Sequence, residues 1–540
     1  MKRLTRWPEH LCLIAYTVLA CWQAWLHTIW ADEAQAWLIA RESGFAELFL
    51  TRLHYEGTPG LWHLLLWMLA HAHFPCVAMS VLAVCLGAAS TALILYASPF
   101  PRFVRLLLPF TFGYFFLTAI VARSYSLVPL LVFSLCMAFT AKRPRPVLFA
   151  LLAGLLANCA LIAAVLSAGF VVLFAHAKLS VCTRTAKLSA ALLLALLWAA
   201  AFYTATPAPD VTFGSGGELN RHPAVSRLLS TITGIPQPAE SQTVPTPAVS
   251  GQASRQLPGR PANSAPSPKG IVALFLALFL LINASFYSVS AFWIVSFVFF
   301  CVLFLWIWKY GNSSLLLLPL SAICLASFLE FSDHHISVPL AALTAMFWLQ
   351  WKQLRHTFGA FKLDRVLAVL VLLAVFEQVS WTGSAILSLR STPFDASQDA
   401  AGFIAALPAG SRIDGYHPQI SAVGAHFFRP VFSNLPHGYW PWRFQNNPDY
   451  AGRLETDLAS RPEYILISGS SVGNANIINE ISHILPVGTP SEDESVDGRV
   501  LQSGYRPIRR FCGKQPAHFG YAVQVCYTLY RATPQDGATQ

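Results

Sequence analysis

The sequence predicts a polytopic α-helical membrane protein of about eleven transmembrane helices, followed by a small soluble α/β domain. Three observations carry this. Hydrophobic residues make up 55% of the 540-residue chain and charged residues 11%, against roughly 25% charge in a soluble protein. Apolar runs near the about 20-residue length of a membrane span recur from Leu11 to Trp381. After Trp381 the chain turns polar, with short strand-like runs set between helical patterns.

Spans are expected at 11–29, 76–97, 106–121, 125–140, 147–160, 162–177, 188–205, 289–308, 314–330, 337–351 and 365–381. The first has the length of a signal peptide. The "HTIWADEAQAW" that closes it lacks a small-x-small cleavage site, so it reads as a retained span. "TPGLWHLLLWMLAHAH" (58–73) is short and rich in Trp and His, which suits a helix lying at the membrane interface. Residues 271–287 are also apolar, but a full span there breaks the parity that the basic segments demand. Spanning, re-entering and lying flat stay open for them. Residues 206–269 hold 11 of the 35 prolines and too little hydrophobicity to pack, so a long, partly disordered loop is expected. The chain thus divides into a membrane domain over 1–381, carrying the 206–269 loop, and a soluble domain over 382–540. In the latter "ASQDAAGFIAAL" reads as a helix and "RIDGY", "EYILISG" and "VCYTLYR" as strands.

The formal charge of +10 is not a nucleic-acid signal, because the basic residues form no stripe on a polar face. They gather instead between spans: Lys2, Arg3 and Arg6; "AKRPRP"; "KLSVCTRTAK"; and "WKQLRHTFGAFKLDR". Short segments rich in Lys and Arg stay cytoplasmic. The loop after the first span, the 206–269 loop and the C-terminal domain are then expected to be extracytoplasmic. Nine of the eleven cysteines lie in or near apolar segments, as small buried hydrophobes do. Cys512 and Cys526 stand apart in the polar tail and are candidates for a disulfide in an oxidising compartment. There is no CxxC or zinc spacing, no Walker A motif and no GxGxxG.

The densest acidic patch follows the first span. Between Ile29 and His63 lie Asp32, Glu33, Glu42, Glu47 and Glu56, opposed by Arg41 and Arg52 alone. Asp32 and Glu33 are adjacent, so on a helix they point about 100° apart and cannot aim at one atom. One can face a site while the other caps the helix or is solvated. Ala31–Ala40 reads as a helix along the membrane surface, where acids in the first turn also simply favour the helix N-terminus.

"DE" directly after the first span, then "HYEGTPGLWHLLLW", later "ARSYSLVPLLVF" and "FSDHHISVPLAALTAMFW", and a soluble domain after the hydrophobic body together resemble the GT-C superfamily of membrane glycosyltransferases. The likeness is to its bacterial, family 39-like branch, related to protein O-mannosyltransferases and the aminoarabinose transferase of lipid A. It covers 1–381, and the tail by layout. It implies an inverting transfer of sugar from a polyprenyl-phosphate donor at the outer face of the bacterial inner (plasma) membrane. The acceptor is a glycan, a lipid or a protein. It implies Asp32 as general base, with Glu33 and Glu56 as secondary acids. Arg123, His334 and His335 are the groups expected at the donor phosphate, and His54 and Tyr125 the candidates for orienting the acceptor. Asp333 stands where family members usually carry Arg, which weakens a phosphate-binding role for the 333–335 patch. No cofactor is predicted. Adjacent histidines diverge, so "DHH" is a poor metal site, and a divalent metal stays an open alternative. The competing readings are a transporter or lipid flippase, against which stands the absence of an obvious internal repeat, and a membrane scaffold. Aromatic residues of "HGYWPWRFQNN" (437–447) suit sugar stacking or the bilayer interface equally.

Overall fold

The computed structural model describes residues 6–208, 302–303, 306–307, 313–316, 318, 337–357, 362–439, 450–473, 493–516 and 522–533. The 206–269 segment beyond 208, the apolar run 271–287, most of the expected spans at 289–308 and 314–330, residues 440–447 of the aromatic stretch, and Asp333, His334 and His335 lie outside the described residues.

Pro8 in the first turn opens helix α1 (Trp7–Leu26), where its missing N–H has no intrahelical partner to lose. Leu11, Ile14, Val18, Trp22 and Trp25 stand exposed along it at spacings of three and four. Such a continuous apolar face would be a liability in water and is suited to lipid. His27 takes up an extended conformation and ends α1, and α2 (Ala31–Glu42) then starts at 86° to it. After a helical stretch over 45–56, widened to π-type turns in its middle, comes α3 (Leu61–His71), then α4 (Val77–Ala97). Helices α5 (Arg102–Phe110) and α6 (Phe112–Ile120) are bent by 62° at the extended Thr111, just after Pro109. The body continues through α7 (Ser124–Thr140), α8 (Pro146–Ala157), α9 (Leu161–Lys178), α10 (Arg184–Ala205), α11 (Ser337–Thr357) and α12 (Lys362–Ser391). Exposed Leu188, Leu192 and Leu196 give α10 a second apolar stripe, and Leu372, Leu373 and Phe376 do the same for α12.

Among the described residues four helices are long and apolar enough to cross a membrane, or six if each bent pair counts as one span. Nine of the eleven expected spans fall on described residues, so the count of about eleven is not confirmed. The 125–140 and 147–160 runs fold as the shorter apolar helices α7 and α8, and 106–121 is broken by its bend. Helix α11 forms, but Gln350, Lys352, Gln353 and Arg355 dilute its C-terminal half. The 58–73 segment folds as α3, eleven residues long and too short to span.

The C-terminal part is a four-stranded sheet with helices. Its strands are β1 (Ile413–Tyr416), β2 (Tyr464–Gly473), β3 (Tyr505–Pro516) and β4 (Ala522–Ala532), in the order β1-β2-β4-β3. β1 and β2 are parallel and the other pairs antiparallel. Helices α13 (Ser397–Ala405), α14 (Ile420–Gly424), α15 (Tyr450–Ala459) and α16 (Asp493–Gln502) accompany it. Cys512 and Cys526 sit directly opposite on β3 and β4 and are joined as a disulfide. At the free edge of β1, the Asn434 side chain accepts from Gly415 N at 2.9 Å and donates to Gly415 O at 3.1 Å, occupying groups that would otherwise invite another strand.

This domain is latched onto the α1–α2 break. Thr28 Oγ1 donates to the Asp395 carbonyl and accepts from Asp395 N at 2.8 Å, while Ser397 Oγ donates to Ile29 O at 2.8 Å. Tyr527 on β4 donates to Asp395 Oδ1 at 2.8 Å, and Lys514 N on β3 donates to Pro393 O at 2.9 Å. Gly513 lies so close to this segment that a Cβ there would meet the Asp395 Cα at 2.7 Å. Asp395 is fully buried, and burial pushes its carboxyl up to about 7 despite the hydrogen bonds from Tyr527 and Ser397.

A carboxyl whose pKa is raised on folding contributes most below its unfolded value of about 4, and that contribution is lost as pH rises toward 7. The purified protein is therefore expected to lose thermal stability between pH 5 and pH 8. Asp395→Asn keeps an acceptor for Tyr527 and cannot ionise, so its melting temperature should be flatter over that window. Parallel slopes for the two proteins in a scanning-fluorimetry series would refute the assignment.

Candidate active site

The 86° break is built around one carboxylate. Glu33 is 1% exposed. Its Oε2 accepts from His27 Nε2 at 2.9 Å and from Trp30 N at 3.2 Å, and its Oε1 accepts from Ala122 N at 2.5 Å. The bond to Trp30 N is the return half of a capping box, which satisfies a backbone donor at the start of α2. The other two bonds tie α2 to the end of α1 and to the loop before α7. Glu33 is thus the capping member of the adjacent pair. It was a secondary candidate for the base, but its oxygens are occupied by donors and closed to solvent.

Asp32 faces the other way and is partly open, with 26% of its side chain exposed. It forms an ion pair with Arg123 Nη1, one residue beyond the Ala122 that Glu33 holds. The Arg123 guanidinium also lies over the rings of Trp30 at 5.8 Å and Tyr125 at 5.9 Å. Two aromatic faces and a carboxylate therefore fix a planar cation, which keeps its charge at any physiological pH. Asp32 and Arg123 touch, each lying next to one partner of the Glu33–Ala122 bond.

Helix α2 does not lie open on a membrane surface. Ala31, Glu33, Ala34, Gln35, Ala36, Trp37, Leu38, Ile39 and Ala40 are all buried. One side packs on α3 and another on α14. Ser421 Oγ donates to Gln35 Oε1 at 3.3 Å, Arg41 Nη1 donates to Phe427 O, and Leu38 approaches Gly424 and Gly438. The C-terminal domain roofs the helix that carries Asp32. Tyr439 from the aromatic stretch joins the buried core of the helical body.

His54 and Glu56 form a separate group. His54 Nδ1 meets Thr206 O at 2.7 Å, and its ring stands edge-on to Tyr203 at 4.9 Å, which anchors it to the end of α10. Glu56 ends the turn Leu53–Glu56, which the left-handed Gly57 closes. Tyr125 belongs with Arg123 rather than with these residues. Among the described residues no group of three or more His, Cys, Asp or Glu is arranged to hold a metal ion.

His63, in the first turn of α3, escaped the sequence reading. It is 4% exposed, and neither ring nitrogen has a partner among the described residues. The signal was a single imidazole inside "LWHLLLW", where every neighbour is apolar. Comparison with protein-family models, curated proteins and solved structures finds no match.

Glu33→Ala strips Ala122 N, Trp30 N and His27 of their shared acceptor. Each buried donor left unpaired costs about 1–3 kcal/mol, so a large drop in melting temperature is expected. Asp32→Ala at the partly exposed neighbouring position should cost about 1 kcal/mol or less. Equal losses for the two variants would show that Glu33 is not the structural member of the pair.

Proposed function

We propose that this chain is an inverting glycosyltransferase of the GT-C type, moving a sugar from a polyprenyl-phosphate donor to an acceptor hydroxyl at the extracytoplasmic face of the bacterial inner membrane. The observation that carries the reading is the Asp32–Arg123 pair. It sets a partly open carboxylate against a fixed cation at the bend between an apolar helix and a buried one, under the soluble domain.

The chemistry asks for those two groups. The acceptor oxygen attacks C1 of the sugar, and its proton passes to the Asp32 carboxylate. The bond from C1 to the phosphate oxygen breaks on the opposite face, and its electron pair leaves with the polyprenyl phosphate. The configuration at C1 therefore inverts. The leaving phosphate is a stable anion and needs no general acid, unlike the leaving group of a glycosidase. It does need positive charge where its own charge develops, which Arg123 supplies. Asp32 and Arg123 touch before substrates arrive, so donor binding draws the guanidinium toward phosphate and frees the carboxylate for the acceptor.

Two further features support the orientation. The Cys512–Cys526 disulfide suits an oxidising compartment. At the other end of α1, about 30 Å away for its 20 residues, Glu9 holds Arg102 at 2.8 Å and Arg105 at 3.3 Å near Arg6. That is the basic end expected to face the cytoplasm.

With purified protein and a polyprenyl-phosphate sugar, Asp32→Asn should lose about 10²–10⁴-fold in turnover while keeping donor binding. Arg123→Ala should weaken donor binding itself, by about 1.5–3 kcal/mol for a charge-assisted hydrogen bond. Near wild-type turnover in Asp32→Asn would remove Asp32 as the base.

A further inference from the structure

Asp32, Glu33 and Arg123 have assigned duties, whereas His63 has none. It projects from α3, the helix that packs against α2. Burial first, and then the positive field of nearby Arg123, push its imidazole down to about 4. At neutral pH the ring is uncharged and offers one N–H donor and one lone-pair acceptor. Both are buried, and neither has a partner among the described residues. A leucine or phenylalanine would suit α3 better, since Leu61, Leu64, Leu65 and Leu66 surround the position. Native proteins leave few buried polar groups without partners, and each such group calls for an explanation. One such explanation is a partner that arrives with a ligand.

The chemistry of the ring selects that partner. A hydroxyl both gives and takes hydrogen bonds, so a sugar satisfies both nitrogens. An ionised phosphate accepts only and would satisfy one. We propose that His63 binds hydroxyls of the sugar carried by the polyprenyl-phosphate donor, next to the phosphate that Arg123 holds. This rests on the glycosyl-transfer reading above. The nearness of Arg123 favours the donor's sugar over the acceptor's.

The test uses the full-length protein in nanodiscs, with no acceptor present. Binding is measured for undecaprenyl phosphate alone and for undecaprenyl phosphate bearing mannose, glucose or aminoarabinose. The wild type should bind at least one sugar-bearing lipid more tightly than the bare one. His63→Phe should lose that increment, about ten-fold, with affinity for the bare lipid unchanged. His63→Gln, which keeps a donor and an acceptor, should retain part of it. The ligand-free His63→Phe protein should also melt higher than wild type, because an unpartnered polar group has been replaced by an apolar one. Equal loss for all lipids, no loss, a wild type indifferent to every sugar, or a lower melting temperature for His63→Phe would each overturn the assignment. The last would mean that the ring has a structural partner such as a bound water. A wild type that binds no lipid phosphate at all would bring down the glycosyl-transfer reading, and this inference with it. Lipid binding that survives in both proteins without sugar discrimination sinks the role of His63 alone.

Discussion

A carboxylate cannot be left bare in a protein interior, and the arrangement of this molecule follows from how Glu33 avoids that state. Its donors come from three places: His27 at the end of α1, the backbone of Trp30 at the start of α2, and the backbone of Ala122 before α7. Meeting them together constrains the direction in which the chain leaves the first apolar helix. It turns Asp32 outward, since neighbours on a helix diverge by about 100°. It also places Arg123 within reach of Asp32. The reactive-looking pair is partly open, and the group that holds it in place is the hidden one. Breaking a buried, fully bonded charge is costly, whereas a partly exposed ion pair contributes little to stability. Stability and chemistry are therefore divided between two adjacent residues.

Much of this was legible in the sequence. The apolar runs located α1, α4, α9, α10 and α12, and alternating or apolar runs located β1, β2 and β4. The adjacent acids could be read as one capping and one facing a site, but not which residue did which. That choice depends on Ala122, which is 89 residues away. No run of its own marked β3 as a strand, for a physical reason. "YRPIRRFCGKQP" is basic, contains two prolines and carries an irregularity in its pairing between Pro507 and Arg509. An edge strand of this kind becomes visible only through its partner. The number of spans was not legible, because an apolar run does not say whether it is broken. Thr111 and the residues before Ala31 interrupt theirs with extended backbone.

Helix α2 shows a further limit of periodicity. A surface helix has one apolar face, and "ADEAQAWLIARE" could be read that way. The structure buries it on both sides, between α3 and the C-terminal domain. A helix covered all round carries little contrast between its faces. The covering partner lies in another domain, so no local pattern announces it. His63 was hidden for the converse reason: a lone imidazole among leucines and tryptophans makes no motif, and its lack of partners among the described residues is a property of the folded packing.

The latch between Thr28 and Asp395 joins residues 367 positions apart. The order of synthesis gives that distance a meaning. The helix bearing Asp32 emerges well before the residues that roof it, Ser421, Phe427 and Gly438. Contacts between such distant parts form late in folding, after the loop entropy between them has been overcome. A chain interrupted before Asp395 would therefore carry the acid and the arginine with no cover. Enclosure of the Asp32 helix therefore waits on the C-terminal domain.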